Sequence, residues 1–132
     1  MAAGRRVWWG DYRTTEYASI DPDATIAILP VAAIEQHGPH LPVSTDTTIM
    51  NGMLETVIAR LPGDLDIRIL PVQSVGKSNE HLHAPGTLTL TPLAAIQSWA
   101  DLGASVARAG VRKIVFVNSH GGNEEIMGIV AR

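Results

Sequence analysis

Two spacings of apolar residues alternate along this chain. Thr25-Ile-Ala-Ile-Leu-Pro30 is a short apolar run after the turn-forming Asp21-Pro-Asp23, and Ile67-Arg-Ile-Leu-Pro-Val72 and Lys113-Ile-Val-Phe-Val-Asn118 repeat it. Runs of this length bounded by turn residues predict buried strands. Between the first two, Ile49, Met50, Met53, Leu54, Val57, Ile58 and Leu61 recur at three- and four-residue intervals, predicting one helical face that stops at Pro62-Gly63. After the second, Thr91 is placed to cap a helix with Pro92 at its first position. That helix is predicted to run to about Ala109, with Leu93, Ile96, Trp99, Leu102 and Val106 inward and Gly110 as its stop. Gly121-Gly122 then leads into a last helical segment ending at Arg132. Strands alternating with helices predict an α/β fold with βαβ units on a parallel sheet, read as a single domain over residues 1–132. Three strands make a thin sheet with apolar edges, which predicts self-association into a homo-oligomer.

Composition narrows the partners. With 45% hydrophobic residues and a net charge of −3 from scattered charges, no basic stripe exists to neutralise phosphates, so nucleic acid is not an expected partner. No run approaches the roughly 18 apolar residues of a membrane span, and Asp11 and Arg13 interrupt the N-terminal stretch before any signal-peptide core. The absence of cysteine excludes disulfides, thiolate catalysis and Cys-based zinc sites, and fits a cytoplasmic location. Trp8-Trp9 and Trp99 read as core or interface anchors.

The chemistry lies in the loops. His37, His40, His81, His83 and His120 all follow predicted strands, and none is placed in a helix. Loops at the carboxyl ends of parallel strands converge on one crevice. Glu35 and His37, two residues apart in extended backbone, project to the same side and make a plausible chelate pair. Asp46 begins the next helix, where a cap and a ligand weigh equally by spacing. His120 reaches the same crevice from the third strand. Glu, Asp and His side chains form a hard-to-borderline set suited to Zn²⁺ or Mn²⁺. Ser119-His120 does not make an activated serine, because neighbours in a strand face opposite ways and no nucleophile elbow is present.

Three motifs then carry a resemblance. Glu35-Gln-His-Gly-Pro-His-Leu-Pro with Thr45-Asp46, Gly76-Lys-Ser-Asn-Glu-His81 with Pro85-Gly-Thr87, and Asn118-Ser-His-Gly-Gly-Asn123 resemble the successive motifs of the creatininase (creatinine amidohydrolase) family. The resemblance implies a creatininase-like three-layer sandwich, of which this chain is the N-terminal half. It also implies a two-metal site in which Glu35 and His120 hold one ion, His37 the other, and Asp46 bridges them. Ser78, Glu80 and His81 would line the pocket, and Pro85-Gly86 would form a turn. Where creatininases proper carry a second-metal glutamate, this chain has Gly122, as in the Gly-Gly-Asn branch; Glu124 and Glu125 are nearby but inside the helix start. A further histidine and carboxylates used in catalysis belong to the family's C-terminal half. The expected function is metal-dependent hydrolysis of an amide C–N bond in a cyclic amide, a formamide or a short peptide by a metal-activated water. The alternative is a non-catalytic or partner-dependent metal-binding module.

Overall fold

The computed structural model describes residues 4–132; Met1 to Ala3, the start of the stretch read as carrying no signal peptide, lie outside the described residues. The three strands form one parallel sheet in the order β2-β1-β3, with β1 Ile26–Val31, β2 Ile67–Ile69 and β3 Lys113–Asn118. Register runs from Ile26↔Ile67 on one side of β1 and from Ile26↔Lys113 to Val31↔Asn118 on the other. Five of the six β1 residues are buried, which is what a continuous apolar run gives when both faces of a parallel sheet are covered. The helices are α1 (Thr14–Tyr17), α2 (Thr45–Arg60), α3 (Pro92–Arg108) and α4 (Glu124–Val130).

Strand β2 is shorter than the apolar run Ile67–Val72 predicts. Leu70 N donates to Ile28 O, but Pro30 on β1 has no N–H to return the next bond, so the ladder breaks there and resumes as a single Val31↔Gln73 bridge. Helix α3 starts as expected, with Thr91 Oγ1 accepting from Ala94 N at 3.2 Å and Pro92 at the first position. Gly110 closes it at φ +92, a left-handed conformation that glycine adopts without strain.

Two inward faces need correction. Leu93 is 79% exposed, because steps of three residues drift about 60° per step from a 3.6-residue turn and carry it roughly 120° from Trp99. Ala95 takes its place beside Trp99 and Val106 in the core. On α2, Met50 and Leu54 are buried, while Ile49 and Val57 lie at the margin of the stripe and stay exposed.

One core cluster joins Leu29, Val31, Leu70, Trp99, Val106 and Ile126; the other joins Val7, Ile28, Met50, Leu54, Ile67 and Ile69. The sheet therefore has helix-borne apolar surface on both faces. Strand β3 forms an edge of the sheet, and its Val115 is half exposed.

An N-terminal ion pair gives a pH test. Arg6 donates to Glu16 at 2.7 Å and the Arg13 backbone N–H adds a 2.8 Å bond, holding the Glu16 carboxyl down from 4.5 to about 2. A folded-state pKa below the unfolded one contributes stability above the unfolded value, lost as pH falls through the folded one. Glu16→Gln is therefore expected to unfold at a lower temperature than the parent at neutral pH, with the gap narrowing below about 4.5 and closing near 2. A gap constant across that range in thermal melts would remove the pair from the stability of the fold.

Candidate metal centre

Three segments meet at the carboxyl edge of the sheet. The chain leaves β1 through the fully buried Ala32 and Ala33, so Glu35 arrives in the interior with only 6% of its surface exposed. Backbone bonds from Glu35 N to Val43 O and from Leu88 N to Ile34 O, each 2.9 Å, pin this loop on both sides. Asp46 is the second residue of α2, buried, with its carboxylate turned back over the strand ends. Ser44 holds the N-cap position and no side chain caps the helix, so the cap reading of Asp46 falls. Behind it, Ser119 Oγ donates to Asp46 O at 2.8 Å, a positioning bond that also points this serine away from any nucleophilic role. His120 leaves the end of β3 with its backbone clamped by Asn118: His120 N donates to Oδ1 at 3.0 Å, and Asn118 Nδ2 donates to His120 O at 2.7 Å.

These side chains converge. His120 Nδ1 lies 3.3 Å from Glu35 Oε1 and 3.2 Å from Asp46 Oδ2, and one ligand atom from each of the three residues lies within 4.8 Å of the others. His37 Nε2 lies 3.1 Å from Asp46 Oδ1, the carboxylate's other oxygen. The four residues singled out in the sequence thus share one site, with Asp46 between the two histidines.

Two buried oxygens in this site, Glu35 Oε2 and Asp46 Oδ2, have no hydrogen-bond partner among the described residues. Orphaned carboxylate oxygens in a protein interior are costly, and a cation is the partner that supplies the missing charge. The backs of the rings agree: His120 Nε2 faces Lys77 O at 2.9 Å and His37 Nδ1 faces Glu35 O at 3.1 Å. A carbonyl only accepts, so each of these nitrogens carries its proton toward the carbonyl, and in the neutral ring the lone pair turns inward. This carbonyl–histidine arrangement is the one that orients imidazole ligands. The bond to the Glu35 carbonyl, opposed by burial and helped by the Asp46 charge, raises the His37 pKa above its usual value. The residues present therefore fit a divalent cation.

The pocket residues divide. Ser78 is buried with its Oγ 3.3 Å from His120 Nε2. Glu80 is half exposed, 3.7 Å from the same nitrogen, and bonded to Lys77 Nζ at 2.9 Å. Burial pushes the Glu80 carboxyl upward, but the hydrogen bond and charge of Lys77 prevail and leave it lowered. His81 Nε2 lies 3.6 Å from Glu35 Oε2. His81 is not in a plain loop as expected; it ends the 3₁₀ turn Asn79–His81. His40 and His83 are exposed and face none of the site's carboxylates, so three of the five histidines build the site. Glu124 and Glu125 are likewise exposed, on α4.

Two residues inside the motifs carry roles that their spacing does not reveal. Asn123 is fully buried, accepts from Lys77 N at 3.0 Å and donates to Ala32 O at 3.0 Å, tying the second and third motifs to the first. Gln36 donates from Nε2 to His81 Nδ1 at 3.2 Å. Both are amides whose polar groups need partners once enclosed, but sequence spacing alone ranks them as loop residues.

Fold and site together define an α/β protein with a carboxylate–histidine cation cluster at the carboxyl edge of a parallel sheet. The creatininase (creatinine amidohydrolase) family model matches residues 10–132, and the chain belongs to that family. It is 38% identical over 104 residues to the mycofactocin precursor peptide peptidase of Mycolicibacterium smegmatis, covering 77% of this chain and 42% of that protein. To the creatinine amidohydrolase of Pseudomonas putida it is 30% identical, covering 88% of this chain and 45% of that protein. A crystal structure of creatinine amidohydrolase superimposes with a TM-score of 0.79 at 29% identity, covering 95% of this chain and 49% of that one. Similar creatininase structures include a Zn–Zn form and a Mn form. The chain thus spans about half the length of the relatives it matches.

Proposed function

We propose that this chain carries the cation-binding part of a hydrolase that cleaves an amide C–N bond in a short peptide. The observation that carries the reading is the buried Glu35–Asp46–His120 cluster with its two unpartnered carboxylate oxygens. Zn²⁺ or Mn²⁺ in such a site lowers the pKa of water and polarises the carbonyl under attack. Glu35, Asp46 and His120 would hold one ion, and His37 with the far oxygen of Asp46 offers ligands to a second. The chain's own contribution is preorganisation: Lys77 O fixes the His120 ring, Glu35 O fixes His37, and Ser119 fixes the start of α2. Identities of 32–40% to peptide peptidases against 30% to a creatinine amidohydrolase favour a peptide over a cyclic amide. The same proposal keeps the single-domain, cytoplasmic and self-associating reading, the last supported by the half-exposed Val115 on edge strand β3.

Incubation of the chain with Zn²⁺ or Mn²⁺ and a short peptide amide, followed by mass spectrometry, is expected to show cation binding with only slow cleavage, because the chain spans about half the length of the relatives it matches. In His120→Ala that cleavage is expected to fall by at least about 100-fold, because a ligand and its charge-balanced geometry go together. Cleavage that survives both chelation and His120→Ala would overturn the reading. Coverage of about half the relatives' length favours a second reading, a metal-binding module that needs another polypeptide for catalysis. Stoichiometric cation binding without turnover is its signature.

A further inference from the structure

The three histidines of the site differ in what stands behind each ring. His37 and His120 have backbone carbonyls there, which turn a lone pair inward. His81 has an amide. The orientation of that amide is fixed: the backbone N–H of Gly38 can only donate, and it meets Gln36 Oε1 at 2.9 Å. The other end of the Gln36 amide is therefore its NH₂, a pure donor, and it meets His81 Nδ1 at 3.2 Å. Nδ1 must accept, so in the neutral ring the proton sits on Nε2. That nitrogen faces Glu35 Oε2 at 3.6 Å, the buried oxygen left without a hydrogen-bond partner, and the His81 side chain is partly open to solvent.

We propose that Gln36 locks His81 in the Nε2–H form, making His81 a hydrogen-bond donor to the substrate's amide carbonyl oxygen rather than a metal ligand. The distinction is not visible in proximity alone, because Glu35, Glu80 and His81 also bring ligand-type atoms within 4.8 Å of one another. A protonated nitrogen has no lone pair to give a cation, so that grouping is a donor beside a carboxylate pair. An oxygen bound against the cation cluster next to Glu35 would lie within reach of the His81 N–H, and a donor held in place before binding costs no reorganisation when charge develops. Gln36 is a positioning residue: it touches the site only through His81. The substrate half of this inference rests on the amide-hydrolase reading above; the tautomer half does not.

Nitrogen-15 NMR of the imidazoles, above pH of about 8 where a free ring is neutral, reads the tautomer directly in the metal-free chain and again with Zn²⁺. His81 is expected to show protonated Nε2 and bare Nδ1 in both. Gln36→Glu replaces the donor behind the ring with an acceptor, so a proton is expected to appear on Nδ1. His81→Ala is expected to keep the cation content of the parent and to lose roughly 10-fold or more in kcat/KM for a short peptide amide, the scale of one hydrogen bond. His81→Gln, which retains an N–H donor, is expected to recover part of that loss. A wild-type His81 with its proton on Nδ1, or loss of a cation equivalent in His81→Ala, overturns the inference. If the chain binds no cation at all, the hydrolase reading fails while the metal-free spectrum still decides the tautomer.

Discussion

Asp46→Asn is expected to abolish cation binding while making the cation-free protein more stable. Asp46 offers one oxygen toward His37 and the other toward His120 and Glu35. Replacing it with an amide removes a negative charge and puts an NH₂, which has no lone pair to give a cation, on one side of the shared site. Even a residue that merely supports a ligand costs 10–100-fold in metal affinity when changed, so a ligand shared by two ions is expected to cost more than about 100-fold for both. In the cation-free protein the sign reverses. Two carboxylates with ligand atoms within 4.8 Å, each with an unpartnered buried oxygen, repel one another and remain poorly solvated. Removing one is expected to stabilise the fold by about 1–3 kcal/mol, the scale of an unsatisfied buried polar group. Calorimetric titration with Zn²⁺ and Mn²⁺, paired with denaturant unfolding in chelator, measures both. Unchanged affinity, or loss of one equivalent with the other intact, would reduce Asp46 from a bridge to an ordinary side chain.

The opposite signs explain why this site was legible in the sequence. A hard-to-borderline set of Glu, Asp and His in loops after strands breaks the rule that buried charges come paired, and such breaks concentrate where a ligand completes the structure. Strand β3 matched its apolar run to the residue, because Lys113 and Asn118 bound it on both sides. Less was legible where a three-residue period stood in for a helical one, as at Leu93, and where a proline in one strand cut short the pairing of its neighbour, as Pro30 does for β2. The roles of Gln36 and Asn123 were hidden for a different reason. Each acts through hydrogen bonds to residues 45 and 46 positions away, a separation that only the folded sheet brings within reach.

Gly122 shows how the chain uses a position where its resemblance to creatininases breaks down. A Cβ built there would lie 2.4 Å from Glu80 Oε1, 2.4 Å from His120 Nε2 and 2.7 Å from Lys77 O. Its φ is not positive, so the demand for glycine comes from space and not from backbone strain. The volume that a side chain at 122 would take is filled by the Glu80 carboxylate, held by Lys77, and by the edge of the His120 ring. Glu80 could swing away as the end of a flexible side chain; a backbone carbonyl and a clamped imidazole could not. Gly122→Ala is therefore expected to push His120 off Lys77 O and to spoil the angle of its inward nitrogen. A glycine-to-alanine change compatible with the backbone normally gains about 0.4–1 kcal/mol. Here overpacking is expected to reverse that, costing about 1–3 kcal/mol, with cation affinity falling about 10–100-fold as the support of the ligand is lost. Gly121 is the internal control: nothing lies within 4 Å of a Cβ at that position, so Gly121→Ala is expected to be neutral or slightly stabilising and to bind cations as the parent does. Parallel thermal melts and Zn²⁺ titrations of the two variants separate the cases. If Gly122→Ala binds Zn²⁺ as tightly as Gly121→Ala, then the Lys77–His120 contact does not hold the ligand, and the site is more tolerant than its packing implies.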